Sequence, residues 1–222
     1  MSDAPKPAVT LHYLNKSRSL RILWLLEEMG IPYELKKYQR TPEMLAPPEL
    51  KQAHPMGKAP VLQDGSVTLI ESSAIVEYLI HKYGPQFKPS DDNYAETIMF
   101  AHLAEASLGC TVSNKIIWKV IPSRVPFFIR PFISIVSNKI IAMRLDPELT
   151  TLLQMVEDQL VKNDGKEFLV GDHLTAADVM IVFTFDVTPE FLPELGPKTK
   201  AYIERMKARP AFKAAYEKGE GQ

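Results

Sequence analysis

Cysteine is almost absent from this sequence, and neither sign of charge dominates it. Cys110 is the one cysteine in 222 residues, which excludes a disulfide framework, a CxxC redox pair and a cysteine-rich zinc site. The 26 Lys and Arg residues face 27 Asp and Glu residues, for a formal net charge of -1. The overall basic field that attracts nucleic acids is therefore missing, and we expect no nucleic-acid partner.

Long uninterrupted apolar runs are also missing. Residues 1–7 contain no apolar core of a secretory signal, so we expect a cytoplasmic protein. Residues 116–143 are rich in Ile, Val and Phe, but four charged residues and three prolines interrupt them. A membrane-spanning helix needs about 20 mostly apolar residues in a row, so we expect no transmembrane segment here.

Several catalytic and metal-binding motifs are absent as well. The sequence has no glycine-rich phosphate loop, no GxSxG nucleophile motif and no HExxH pair among its five histidines. These absences argue against a nucleoside triphosphatase, a GxSxG hydrolase and a zinc protease. We expect no metal, and we expect Cys110 to be a small core residue in an apolar helical stretch.

Residues 1–85 alternate short strands and helices. Residues 9–14 and 32–38 have strand character and flank an apolar helix over 20–29, which implies a parallel pair with a right-handed crossover. An Asp-Gly turn then predicts a β-hairpin, and a helix follows over residues 71–83. The pattern predicts a small α/β domain.

After a linker over residues 86–89, the sequence has almost no strand pattern. Helical spacing of apolar residues recurs through the rest of the chain and predicts an all-helical domain over residues 90–222. Within it, Thr175 has the position of a helix cap, and Asp178, three residues later, can reach back to complete a capping box. This motif is structural, and we assign it no catalytic role.

Hydroxyl groups cluster in the turn between the first strand and the first helix. The segment Asn15-Lys16-Ser17-Arg18-Ser19 places them at a helix N-terminus, where free amides and the helix dipole attract anions. A serine in such a place often serves only as a helix cap. The turn is therefore either a plain capping segment or part of an anion-binding site.

Two further places allow the same pair of interpretations. Pro60 follows a turn and begins an apolar strand; a trans peptide bond is the ordinary case, and a cis bond would turn backbone groups toward a ligand. Glu71 and Ser72 open a helix, where an acid and a hydroxyl are normal capping residues. The functional alternative is that Ser72 binds a ligand carboxylate while Glu71 pairs with an ammonium group.

Taken together, these motifs resemble the cytosolic glutathione transferases, closest to a fungal and bacterial branch of the Ser type. The resemblance rests on a serine-containing turn ahead of Arg21 and on three later segments, in the order and spacing of that family. These segments are HPMGKAPVL at residues 54–62, ESSAI at 71–75 and GDHLTAAD at 171–178. The combination is specific and covers nearly the whole chain.

This resemblance implies a thioredoxin-like N-terminal domain, an all-helical C-terminal domain, a homodimer and glutathione as a co-substrate. It implies a cis bond before Pro60, with the Ala59 backbone pairing with the cysteinyl part of glutathione. Lys58 would meet the glycyl carboxylate, and Glu71 with Ser72 would hold the γ-glutamyl end. Many members carry Val where this chain has Ala59, a departure without consequence if only the backbone is used.

The resemblance places the residue that activates the thiol in the first turn. Ser17 stands four positions before Arg21, as in Ser-type members, and is our first candidate. Tyr13 is a rival, because its surroundings also resemble the opening of Tyr-type members. Asn15 and Ser19 are further rivals, because some relatives use Asn or a neighbouring Ser.

The activity implied is transfer of glutathione to hydrophobic electrophiles. A free thiol has a pKa of about 8.5, and a hydroxyl donor and a helix N-terminus that lower it by about two units would supply roughly 2.7 kcal/mol. The thiolate would attack an electrophilic carbon, or the O–O bond of a peroxide as a side activity. We expect the electrophile pocket between the two domains, lined by the loop after Leu14 and by the first long helix.

Two other functions stay open. In the first, the chain is a non-catalytic protein that binds glutathione or another ligand. In the second, it is a glutathione-dependent disulfide reductase. Members that reduce disulfides through their own thiol keep a Cys near the first helix, and this chain has none there, which argues against that version.

Residues 107–145 carry an unusual concentration of positive charge, with six basic residues and no acidic one. We interpret this stretch as a solvated helix face whose apolar side packs inward. The alternatives that we weigh against it are a preference for amphipathic or anionic substrates and contact with a membrane surface.

Overall fold

The computed structural model describes residues 9–221, except for the side chain of Val187, and these residues form two compact units. The first unit takes in the chain up to Lys88 and again from Met206 onward, and the second is Pro89–Arg205. The boundary falls inside the predicted linker. The C-terminal segment, which the sequence analysis assigns to the helical domain, groups instead with the first unit.

Four strands form the sheet of the first unit. They are β1 Val9–Leu14, β2 Tyr33–Tyr38, β3 Val61–Asp64 and β4 Val67–Leu69. The order across the sheet is β2-β1-β3-β4, with β1 and β2 parallel and the other two pairs antiparallel. The predicted strand–helix–strand unit and hairpin are confirmed, and together they make the thioredoxin-like arrangement that the resemblance implies.

Helices make up most of the remaining described chain. They are α1 Ser19–Met29, α2 Ser72–Tyr83, α3 Asp91–His102, α4 Cys110–Val120, α5 Arg130–Ile140, α6 Asp146–Lys162, α7 Ala176–Val187, α8 Pro197–Ala208 and α9 Pro210–Glu220. A π-helical segment at Leu103–Gly109 joins α3 to α4, and another at Ile141–Leu145 joins α5 to α6. The second unit contains no strand among its described residues, as predicted.

No helix within residues 9–221 has the length and apolar character needed to cross a membrane. The apolar stretch over residues 116–143 is divided between the end of α4, a 3-10 turn and α5. Residues 1–7, to which the expected absence of a secretory signal refers, lie outside the described part of the chain.

The first helix is the centre of the first unit. Every residue of α1 from 19 to 26 is buried, because apolar side chains run nearly all round it. On one side it packs against α9, where the rings of Trp24 and Phe212 meet edge to face at 5.2 Å. Arg209 donates hydrogen bonds of 2.6 and 2.9 Å to the two carboxylate oxygens of Glu28. This apolar and bidentate contact explains why the C-terminal helix groups with the first unit.

The predicted capping box at the start of α7 is confirmed. The carboxylate of Asp178, which is fully buried, accepts a hydrogen bond of 2.9 Å from the Thr175 amide, and Thr175 caps the helix in return. The same carboxylate accepts bonds from the Leu169 amide at 2.9 Å and the Tyr202 hydroxyl at 2.7 Å. One side chain therefore joins the preceding loop, α7 and α8.

Replacing Asp178 with Ala should lower the free energy of unfolding by about 3 kcal/mol or more, because it leaves buried donors without an acceptor. Urea unfolding measures this change. The matched control is Asp158→Ala on the exposed side of α6, which should stay within about 0.5 kcal/mol of the wild type. Equal stability of the two variants would contradict the role given to Asp178.

A second carboxylate, that of Glu157 on α6, holds the beginning of α8. It accepts hydrogen bonds from the amides of Lys198 and Thr199 at 2.9 and 2.8 Å, and from the Thr199 hydroxyl at 2.6 Å. A Cβ atom at Gly196 would lie 2.2 Å from the Glu157 carboxyl carbon. Glycine is therefore required there, because the carboxylate fills the space next to its backbone.

The hydrogen bonds to Glu157 should make stability depend on pH. Burial raises the pKa of Glu157, but the bonds from Thr199 and Lys198 lower it, and the net shift is downward. The stabilisation is therefore present above the unfolded pKa of about 4.3 and is lost as the pH falls through the folded pKa.

We expect Glu157→Gln to cost about 1–3 kcal/mol at neutral pH, with a smaller difference from the wild type in acid. Urea unfolding at several pH values tests this, with Glu204→Gln on the exposed face of α8 as the control. A difference that stays constant with pH would show that the charge of Glu157 is not involved.

Candidate functional site

The turn between β1 and α1 holds its hydroxyl groups in a local hydrogen-bond network. The Ser17 hydroxyl donates to the carbonyl of Leu14 at 2.6 Å and lies 2.9 Å from the Ser19 hydroxyl oxygen. The Ser19 amide, at the first position of α1, donates to Ser17 Oγ at 3.2 Å. Ser17, one residue before the N-cap residue Arg18, therefore satisfies the first free amide of α1, a structural role close to the plain interpretation of this turn.

The same geometry also defines what Ser17 can offer to a ligand. A hydroxyl has one proton, so donation to an anion requires the Ser17 proton to rotate away from the Leu14 carbonyl. The side chain is 8% exposed. The oxygen lies beside the N-terminus of α1, whose free amides and dipole favour a negative charge nearby.

Tyr13, the first rival, has its hydroxyl committed elsewhere. It is fully buried and donates to a carboxylate oxygen of Glu220 at 2.5 Å. Burial and this hydrogen bond raise the pKa of Tyr13 well above its usual range. A Cβ atom at Gly219 would lie 2.5 Å from the hydroxyl, so α9 approaches the ring closely. A proton already held by a carboxylate is poorly placed to stabilise a thiolate.

Asn15, the second rival, ties the turn to the segment after β2. Its side-chain oxygen accepts a hydrogen bond of 2.8 Å from the Arg40 amide, and the Arg40 guanidinium donates to the Asn15 carbonyl at 3.2 Å. Ser19, the third rival, is fully buried and accepts a hydrogen bond from the Leu14 amide at 3.3 Å. Both side chains hold the backbone of the turn in place.

The residues expected to bind glutathione lie around one small cavity of about 150 Å³ in the first unit. Its lining comprises Arg18, Met56, Lys58, Ala59, Pro60, Ile70, Glu71 and Ser72. All five residues named from the resemblance are in this set. Tyr13, Asn15, Ser17 and Ser19 are not, and the turn contributes Arg18 instead.

The backbone around this cavity has an uncommon conformation in two places. The peptide bond between Ala59 and Pro60 is cis, as the resemblance implies and contrary to the ordinary case for a strand start. Glu71, directly before α2, has a φ of 71°, which is unfavourable for a residue with a side chain. A positive φ at a residue with a side chain, as at Glu71, is typical of binding sites, where the surrounding structure holds it.

The charges around the cavity are mixed in sign. Lys58 and Arg18 bring positive charge, and Glu71 brings an exposed negative one. Ser72, which is buried, is the first residue of α2, so its amide adds the positive end of a helix dipole. This set suits a ligand that carries both carboxylate and ammonium groups.

Arg18 was not among the residues identified from the sequence. The sequence does contain a signal for Arg18, because a cation at a helix N-terminus strengthens the attraction of that helix end for anions. The hydroxyls on either side of it carry the sequence prediction for this turn. Met56 and Ile70 were missed too, and as ordinary apolar residues they carry no signal of their own.

No group of His, Cys, Asp and Glu residues within the described chain is arranged to hold a metal ion. This observation concerns residues 9–221 alone.

The helical unit has a larger cavity, of about 1120 Å³, with mainly apolar walls. It is lined by Ala106, Ser107, Cys110, Thr111, Asn114, Trp118, Ile135, Val136, Lys139, Ile140, Met143, Arg144, Leu145 and Glu148. Cys110 is exposed here, so the expectation that it is a core residue is wrong. It lies at the junction of the π-helical segment and α4, on the side that faces the cavity.

Comparison with known families identifies both parts of the chain. Residues 8–81 match the family model described as the glutathione S-transferase N-terminal domain, and residues 117–210 match that of the C-terminal domain.

Individual relatives agree. Glutathione S-transferase 3 of Schizosaccharomyces pombe is 36% identical over 96% of this chain and 88% of its own length. Glutathione S-transferase 1 of Saccharomyces cerevisiae is 30% identical over 96% of this chain and 95% of its own length.

Solved structures show the same likeness. A glutathione S-transferase from Actinobacillus pleuropneumoniae is 30% identical with a TM-score of 0.73, covering 96% of this chain and 93% of that one. A Phanerochaete chrysosporium glutathione transferase, solved with oxidized glutathione, is 22% identical and has a TM-score of 0.74. The match covers 99% of this chain and 97% of that one, and it shows a shared fold. On the family models and these relatives, the chain belongs to the glutathione S-transferase family.

Proposed function

We propose that this protein is a glutathione transferase, which activates the glutathione thiol for attack on hydrophobic electrophiles. The observation that carries the proposal is the small cavity of the first unit, where Lys58, Ala59, Glu71 and Ser72 surround one space. Related proteins that bear the name glutathione S-transferase support it.

Each polar end of the tripeptide has a chemically suitable partner at this cavity. Glu71 would pair with the γ-glutamyl ammonium, and the Ser72 hydroxyl and amide would bind the adjacent carboxylate. Lys58 would meet the glycyl carboxylate, and the Ala59 backbone would pair with the cysteinyl part. The cavity of about 150 Å³ is smaller than the ~300 Å³ of a typical small-molecule pocket, so glutathione would fill it and extend over the residues at its rim.

Ser17 is the group that we propose to activate the thiol. When the thiol proton leaves to solvent, the Ser17 hydroxyl would rotate from the Leu14 carbonyl to donate to the sulfur anion, and the N-terminus of α1 would add to the stabilisation. The thiolate then forms a bond to the electrophilic carbon while the leaving group departs with its electron pair. Ser19, 2.9 Å from Ser17, would act as a positioning residue.

The position of the electrophile, between the domains, stays a prediction. Side chains of α4 line the cavity of the helical unit, which supports a contribution of the first long helix to that pocket. Peroxide reduction by the same thiolate, the homodimer and the cytoplasmic location belong to this proposal as well.

Ser17→Ala should raise the pKa of bound glutathione by about one to two units and lower kcat/KM at neutral pH by about tenfold or somewhat more, since it removes the donor to the sulfur and leaves the helix N-terminus in place. Ultraviolet absorbance of the thiolate against pH, together with conjugation kinetics, measures both. Tyr13→Phe, the control, should change neither more than about twofold, because its hydroxyl donates to Glu220. If Tyr13→Phe raises the thiol pKa and Ser17→Ala does not, Tyr13 is the activating group.

Lys58→Ala, Glu71→Gln and Ser72→Ala should each weaken glutathione binding by about 10- to 100-fold, as expected for hydrogen bonds to charged groups. The main effect should appear in the KM for glutathione. Lys213→Ala, on the exposed surface of α9, is the matched control.

Isothermal titration calorimetry with glutathione, combined with turnover assays, separates the alternative functions. Binding heat with turnover of electrophiles supports the transferase, and heat without turnover of electrophiles or peroxides supports the non-catalytic binding protein. Turnover of mixed disulfides alone supports the reductase. No heat on mixing with glutathione would refute the proposed site.

A further inference from the structure

One end of the helical unit presents apolar side chains and positive charges together. We call it the apolar–basic surface. Its apolar members are Ile117, Val120, Phe127, Phe128, Phe132, Ile135, Val136 and Met143, and its basic members are Lys119, Arg124, Arg130, Lys139 and Arg144.

The apolar members are exposed to an unusual degree. Phe127, Phe132 and Met143 are 80%, 70% and 71% exposed. Single apolar residues at a surface are ordinary, whereas a contiguous set marks an interaction surface. The sequence pattern predicts an apolar side that packs inward, and for these residues that prediction is wrong.

Helical spacing explains the outward stripe. Phe132, Ile135, Val136, Lys139 and Met143 follow one another at helical intervals and lie on one side of α5 and its π-helical continuation. The opposite side is the buried one, occupied by Ser137 and Ile141. The stripe is therefore a second, exposed face of the helix, and its residues Ile135, Val136, Lys139 and Met143 also line the open cavity of the helical unit.

Direct ion pairs do not neutralise the exposed cations of this surface, although Glu148 lines the same cavity as Lys139 and Arg144. Residues 106–145 contain six cations and no acidic residue. Lys115 is largely buried and pairs with Asp146 at 2.7 Å. The five exposed cations form no ion pair with any residue in the described range 9–221. A local excess of positive charge thus stands on a chain whose formal net charge is -1.

We propose that the apolar–basic surface docks this protein on the face of a lipid bilayer that contains anionic headgroups. Exposed Phe side chains enter the boundary between headgroups and acyl chains, and Arg and Lys side chains attract the anionic phosphates and carboxylates. The attachment is peripheral and needs no spanning segment.

Two other occupants fit the observations less well. A second copy of the chain, related by a two-fold axis through this surface, would bring cations against cations. A small ligand in the cavity of the helical unit would leave Phe127, Phe128 and Phe132 exposed, because none of them lines that cavity. The bilayer accounts for both the protruding rings and the charge.

Co-sedimentation with lipid vesicles tests the proposal. The full chain should sediment with vesicles of phosphatidylcholine and phosphatidylserine but much less with phosphatidylcholine alone. Added salt should weaken the binding, because it screens exposed charges. No sedimentation with the anionic vesicles, or equal sedimentation with both kinds, would overturn the proposal.

Paired variants identify the surface. Phe127→Ser with Phe128→Ser, and separately Arg124→Glu with Arg130→Glu, should each lower the vesicle partition coefficient by at least about tenfold. The apolar control is Leu45→Ser with Val161→Ser, and the charge control is Lys166→Glu with Lys213→Glu, all at exposed positions elsewhere. A loss of binding in the controls equal to that in the surface variants would refute the assignment.

Two further measurements accompany the variants. Thermal unfolding should be unchanged, since none of the substituted surface residues is buried. Sedimentation velocity without vesicles reports the oligomeric state, and dissociation of an oligomer by the surface variants would assign the surface to a second copy instead. None of these measurements uses glutathione, so they are independent of the proposed transferase activity.

Discussion

The burial of α1 between the sheet and α9 is the contact on which the first unit depends. Its apolar residues meet other elements on nearly all sides, and the edge-to-face rings of Trp24 and Phe212 together with the Arg209–Glu28 ion pair fix α9 in place. Because the turn before α1 connects two buried elements, its backbone has little freedom. A hydroxyl in that turn is thereby held at a fixed place beside a helix N-terminus, which is the condition for stabilising an anion there.

The polar residues of the first unit have two different roles. Some hold the backbone around the site in place, and others line the small cavity. Asn15 and Ser19 hold the turn, and Tyr13 joins β1 to α9 through Glu220. Lys58 and Glu71 face the small cavity. The segments that carry the family resemblance in this sequence contain both kinds. Only the hydrogen-bond partners tell them apart.

Local signals in the sequence predicted most of the fold. The alternation of apolar and polar residues and the Asp-Gly turn indicated the sheet, and the spacing of Thr175 and Asp178 indicated the capping box. Each of these structures depends on interactions between residues that are close in the sequence. The position of α9 and the exposure of Cys110 were not predictable in this way. Helical periodicity shows that a helix has an apolar face, but it does not say which element, if any, covers that face.

The contact between α1 and α9 joins two segments that lie at opposite ends of the chain, with the whole of Pro89–Arg205 between them. During synthesis the ribosome therefore releases the helical unit before the first unit can acquire its last helix. Glu220, which accepts hydrogen bonds from Tyr13 and from the Lys16 amide, follows the whole helical unit in the chain. The turn that carries Ser17 thus reaches its finished form only after α9 has been translated, so a nascent chain has a sheet and a first helix before this turn is complete.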